Sequence, residues 1–138
     1  MEDLEVGTVL ITGGLGCLGG GLAHHLINAG YSVIIGSSRP NAQLPDRLKQ
    51  CSLIYTDFDN PESLNKACSR TDSIIHLATV NAQQSEKDPE YAKRVNSIGT
   101  DRLIQAGIKN KVKYFLYFSR VNYLIYLKSC PSSIESSV

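Results

Sequence analysis

Residues 10–26 read LITGGLGCLGGGLAHHL, six glycines in seventeen positions, set between an apolar run and a stretch of helical spacing. A phosphate bound by backbone needs N–H groups aimed at it, close approach without Cβ atoms, and the positive end of a helix. Gly13, Gly16 and Gly19 have the spacing for this. Gly13 permits the tight turn after a strand, Gly16 lets a pyrophosphate touch the backbone at the helix start, and Gly19 lets the helix pack closely on the strand. The turn Gly13, Gly14, Leu15, Gly16, Cys17, Leu18 and Gly19 is therefore the first candidate contact for a dinucleotide. A flexible surface turn is the alternative, and the strand-turn-helix setting argues against it.

The second candidate lies about twenty residues further on. In dinucleotide folds an acid there grips the ribose hydroxyls of NAD, and a basic residue accepts the phosphate of NADP instead. No Asp or Glu occurs between Glu5 and Asp46, whereas Ser37, Ser38 and Arg39 offer two hydroxyls and a guanidinium fork. A fork of this kind suits a phosphate monoester, so the expected cofactor is NADP in preference to NAD. A solvated Arg39 before Pro40 is the alternative.

Other chemistries find less support. Cys17, Cys51, Cys68 and Cys130 are far apart, and His24, His25 and His76 do not have metal-ligand spacing around them. The expectation is free thiols in a reducing compartment and no metal. Fourteen Lys and Arg against thirteen Asp and Glu leave no field to draw the chain to nucleic acid or an anionic membrane. Lys109, Lys111 and Lys113 read as a solvated loop. The acidic start MEDLEVG lacks the regions of a signal peptide, and the apolar run from Tyr114 to Leu127 is too short to span a bilayer. A cytoplasmic location is expected.

The elements that must position these residues alternate along the chain. TVLIT (8–12), SVIIG (32–36), SLIYT (52–56), SIIHL (73–77) and YFLYF (114–118) are short, almost wholly apolar and rich in β-branched or aromatic residues. Such runs belong to strands covered on both faces. Leu18, Leu22 and Leu26 are spaced to face a sheet, with Gly30 as the helix stop. Asn60-Pro61-Glu62 and Asp88-Pro89-Glu90 each combine a cap, a proline and an acid, predicting helices over about 61–68 and 89–106. The sum is one α/β unit: a Rossmann-like, doubly wound parallel sheet of about five strands. Its ligand site lies beyond the carboxyl ends of the strands.

With those motifs in place, the chain resembles the extended short-chain dehydrogenase/reductases, the group of nucleotide-sugar epimerases, dehydratases and reductases. The resemblance rests on Thr12, Gly13, Gly14, Gly16, Gly19, Leu22, Leu26, Gly30 and Val33, and it covers residues 6–119. It implies that Asp57 contacts adenine together with the N–H of Phe58. It implies that His76-Leu77-Ala78-Thr79 passes the nicotinamide ribose. Asn96 to Thr100, followed by Leu103, is similar to the family's N-x-x-G-T-x-x-L helix, and Ser119 matches the first serine of its Ser-Ser pair. Gly20 and Gly21 depart from the pattern, weakening the first helical turn by about 1 kcal/mol each relative to alanine.

The family's chemistry takes Y-x-x-x-K, and none of the eight lysines has a tyrosine four places before it. Arg120 occupies the second, substrate-facing serine position. The reading is a cofactor-binding domain over 1–119 and a divergent tail over 120–138, with no catalytic residues assigned. An alternative transcript, a shifted frame or a cloned fragment would each give this pattern. Expected partners are a nicotinamide dinucleotide and either a second copy or a full-length paralogue. Two functions stay open: the inactive binding part of an oxidoreductase or epimerase, and a non-catalytic NAD(P)-binding sensor or partner module. The apolar tail residues 121–127 are expected either to cover the sheet edge or to promote association through it.

Overall fold

A computed structural model describes residues 7–15, 17–77, 87–90, 94–117, 122–126 and 134–137. Five strands, β1 (Thr8–Thr12), β2 (Ser32–Ser37), β3 (Ser52–Tyr55), β4 (Ser73–His76) and β5 (Tyr114–Tyr117), pair in parallel in the order β3-β2-β1-β4-β5. These are the five apolar runs of the sequence. Two further strands, β6 (Asn122–Tyr126) and β7 (Ile134–Ser137), extend the sheet antiparallel beyond β5. Residues 122–126 of the tail thus lie along the β5 edge, and residues 134–137 pair with them.

Alternation along each strand sends side chains to both faces. Val9, Ile11, Val33 and Ile35 pack with Ala23 of helix α1 (Cys17–Asn28) and with Leu48. Leu10, Ile74 and Phe115 pack on the other face with Leu64 and Ala67 of α2 (Pro61–Cys68) and with Leu103 and Ala106 of α3 (Thr100–Lys109). Both cores bury a thiol: Cys51 titrates above its usual range, and burial pushes Cys68 up to about 12.

Helix ends follow their local chemistry. Asn60 caps α2 by accepting from the Glu62 N–H at 3.0 Å. Gly30, with φ 96°, closes α1: its N–H donates to Ile27 and that of Tyr31 to Leu26. The same double bond closes α3, where Lys111 (φ 61°) donates to Ile108 and Val112 to Gly107.

Two expectations need correction. Helix α3 ends at Lys109, three residues beyond the expected end at 106, and Lys111 just after it takes the left-handed position that glycine usually fills. The helix is preceded by a wide π-helical turn over Arg94–Gly99. Leu18 does not face the sheet: it is 60% exposed. The inner stripe of α1 runs instead through Gly19, Ala23, Leu26 and Ile27, since the contact of Gly19 with the turn fixes the rotation of the helix.

Candidate functional site

Strand order reverses between β1 and β4, so the connections leave in opposite directions and open a crevice at the carboxyl ends of those strands. Backbone bonds show the divergence directly. The Thr12 carbonyl accepts from the Leu77 N–H at 3.1 Å on the β4 side, and the Gly13 N–H donates to the Gly36 carbonyl at 3.1 Å on the β2 side.

The glycine turn sits at that point. Gly13 has φ 71°, a conformation few side-chain-bearing residues adopt. A Cβ on Gly19 would lie 2.5 Å from the Gly14 Cα and 2.8 Å from the Gly13 carbonyl oxygen, and one on Gly14 would lie 2.9 Å from Ile35. Helix and turn approach each other as closely as backbone permits, and only hydrogen fits between them. This is a cradle suited to a pyrophosphate. A Cβ on Gly20 would lie 2.8 Å from an Arg47 guanidinium nitrogen, the movable end of an exposed side chain. Gly21 has open space around it. Gly16 and the Cys17 side chain lie outside the described residues.

On the β2–β3 flank, Ser37 is buried, while Ser38 and Arg39 are exposed at the turn that follows it. Ser37 Oγ accepts from the Arg39 N–H at 3.2 Å, so the first serine shapes the loop that carries the guanidinium. The half-buried Asp57 follows β3; its N–H donates to Ser63 Oγ at 3.0 Å and its Oδ1 accepts from the Asp59 N–H at 2.9 Å. Arg102 of α3 holds the same turn, donating from Nη1 to the Phe58 carbonyl at 3.0 Å and lying 3.4 Å from Asp59 Oδ1. Neither Arg102 nor Ser63 stood out in the sequence, because each supports backbone rather than belonging to a motif.

On the β4–β5 flank, His76 is wholly buried between the rings of Phe58, Phe115 and Tyr117. Its Nδ1 lies 2.6 Å from Thr12 Oγ1 and its Nε2 2.9 Å from Thr100 Oγ1. Thr12 Oγ1 also accepts from the Leu77 N–H at 3.1 Å, and Thr100 Oγ1 donates to the Asn96 carbonyl at 3.2 Å. Burial lowers the His76 pKa to about 4, which keeps the imidazole neutral. The imidazole of His76 inside the SIIHL run was the available signal for this cluster. Ala78, Thr79 and Ser119 lie outside the described residues.

A doubly wound sheet with a glycine turn at its switch point defines a Rossmann-like protein. The chain belongs to the NAD dependent epimerase/dehydratase family, whose model matches residues 9–122. It is similar to a 3-beta-hydroxysteroid dehydrogenase of Mycolicibacterium neoaurum, 30% identical over 82% of this chain and 32% of the relative. It is equally similar to a UDP-glucose 4-epimerase of Drosophila melanogaster, 30% identical over 81% of this chain and 37% of the relative. Among solved structures, the Bordetella bronchiseptica enzyme WbmG in complex with NAD superposes with a TM-score of 0.71 at 25% identity, over 83% of this chain and 38% of that one. The chain thus spans about a third of the length of the proteins it matches. No helix among the described residues is long and apolar enough to cross a membrane.

Proposed function

We propose that this chain binds a nicotinamide dinucleotide across the β1/β4 crevice and that residues 1–119 form the binding domain, with 120–138 a divergent tail. The observation that carries the reading is the contact of Gly19 with Gly14 and Gly13, which brings the first turn of α1 against the glycine turn beyond β1. When bound, the cofactor would supply hydride chemistry. The chain's own residues supply binding: the turn 13–19 toward pyrophosphate, Asp57 and Phe58 toward adenine, and Leu77, Ala78, Thr79, Asn96 and Ser119 toward the nicotinamide half.

NADP is the preferred form, on the strength of Arg39 and the absence of an acid between Glu5 and Asp46. The substrate class we infer for a longer, active form is a nucleotide sugar, by likeness to the UDP-glucose 4-epimerase. No turnover is expected of these 138 residues, because Y-x-x-x-K is missing and general acid-base catalysis is worth roughly 100- to 10,000-fold. Free thiols at Cys51 and Cys68 fit a reducing, cytoplasmic setting.

Titration of the purified chain with NADPH and NADH tests the reading. NADPH should bind more tightly, and Arg39→Asp should reverse the order, since a carboxylate repels the 2′-phosphate and accepts from free ribose hydroxyls. Equal binding of the two, unmoved by the substitution, contradicts the preference. Oxidation or reduction of the cofactor with any sugar nucleotide contradicts the inactivity.

A further inference from the structure

His76 joins three segments that are distant in sequence and converge at the switch point: the end of β1, the exit of β4 and the wide turn before α3. Its hydrogen-bond directions follow by elimination. The Asn96 carbonyl can only accept, so it takes the single proton of the Thr100 hydroxyl. Thr100 Oγ1 must then accept from His76, which puts the ring proton on Nε2. Nδ1 is left as an acceptor, and the Thr12 hydroxyl donates to it while accepting from the Leu77 N–H. The bonds run in one direction, from the Leu77 amide through Thr12, His76 and Thr100 to the Asn96 carbonyl.

A histidine that only filled space would not need both nitrogens engaged. Phenylalanine has a similar ring, and three aromatic side chains already surround the site. What the polar chain adds is a tie from Thr12, the residue before the glycine turn, and Leu77, the first residue beyond β4, to the wide turn that carries Asn96. Thr12 and Leu77 form the floor of the crevice and the start of its β4 wall. The opposite wall has its own hydrogen bonds, Ser37 to Arg39, Ser63 to Asp57 and Arg102 to Phe58, and meets His76 through the Phe58 ring, an apolar contact that a phenylalanine at position 76 would keep.

We propose that His76, as the Nε2–H tautomer, is a positioning residue for the half of the dinucleotide that lies on the β4 side of the crevice, and that the adenosine half is held independently of it. The inference rests on the dinucleotide reading given above. Loss of the relay should therefore separate the two halves of the ligand, lowering affinity for the whole cofactor and sparing its adenosine end.

The test uses the full 138-residue chain. A triple variant, Thr12→Val, His76→Phe and Thr100→Val, replaces the whole relay by apolar groups of matching shape, an exchange that can leave stability nearly unchanged. Wild type and variant are titrated with NADPH and with adenosine 2′,5′-bisphosphate, and their thermal unfolding is compared. The expected result is an unfolding temperature close to wild type, unchanged affinity for the bisphosphate, and NADPH binding weaker by about tenfold, one hydrogen bond's worth. A parallel loss for both ligands, or no loss for either, overturns the proposal. Wild-type protein that is folded but binds neither ligand removes the dinucleotide reading itself and this role with it. Nitrogen-15 spectra of the wild-type His76 ring give a second arm that does not depend on the variant folding. The Nε2–H pattern is expected at neutral pH, and an Nδ1–H pattern overturns the relay.

Discussion

The two flanks of the crevice are built on different length scales. On the β2–β3 side two of the supporting contacts are local, with Ser37 and Arg39 two residues apart and Asp57 and Ser63 six apart, and one, Arg102 to the Phe58 carbonyl, spans 44 residues. On the β4–β5 side they are long-range, with 64 residues between Thr12 and His76 and 24 between His76 and Thr100. The first flank exposes Ser38 and Arg39, half-buries Asp57 and buries Ser37, whereas the second buries Thr12 and His76 completely. A ligand arriving at this crevice therefore meets one wall made of adjustable turns and another set by the folding of the whole sheet.

The glycine turn between the flanks gives the largest expected effect. Gly19→Ala would push a methyl group into backbone that cannot move aside, destabilising the chain by about 3 kcal/mol or more and abolishing dinucleotide binding. Gly21→Ala, two residues along the same helix, meets nothing within 4 Å. It should stabilise by about 1 kcal/mol through helix propensity and leave binding unchanged. Urea unfolding of the pair checks both signs; equal effects would mean that the turn and helix are not in contact.

The β4–β5 flank should carry a pH signature through His76. The ordinary His pKa is 6.5 and burial brings that of His76 to about 4, so between those values the unfolded chain takes up a proton that the folded chain refuses. Stability should be unaffected by this group above pH 6.5 and fall as pH drops toward 4, by roughly 3 kcal/mol in all. Denaturation at a series of pH values, with His76→Phe as reference, measures it; a variant with the same acid sensitivity as wild type would reassign the effect to other groups.

The smallest effect lies outside the crevice. Lys111→Gly should stabilise the end of α3 by about 1 kcal/mol, because lysine there holds φ 61° against its steric preference. Thermal unfolding would show a rise of a few degrees, and a fall would mean that the Lys111 side chain contributes contacts of its own.

Which features could be read from the sequence follows the same division. The five parallel strands, the span of α2 with its Asn60 cap, and the stop at Gly30 each depend on residues within one turn or one run, where spacing carries the information. The exposure of Leu18 was hidden because leucine periodicity does not report which face a glycine contact will claim. The end of α3 carries Asn110 as its C-cap, but the left-handed position was hidden because it falls on Lys111, a residue type that does not announce it. The candidate turn 13–19 was visible, as were Arg39 and Asp57. The relay was not, since Thr12, His76 and Thr100 become neighbours only once β1, β4 and α3 have packed.

The central claim is that the crevice between β1 and β4 is where a nicotinamide dinucleotide binds. Amide chemical-shift mapping of the isotope-labelled chain during titration with NADPH tests it most directly. Gly13, Gly14, Arg39, Phe58 and Leu77 are expected to shift together and saturably, while Thr8, Asp72 and Lys113, at the other end of the strands, stay in place. Shifts centred on Thr8, Asp72 and Lys113, or no shifts in a folded protein, would contradict it.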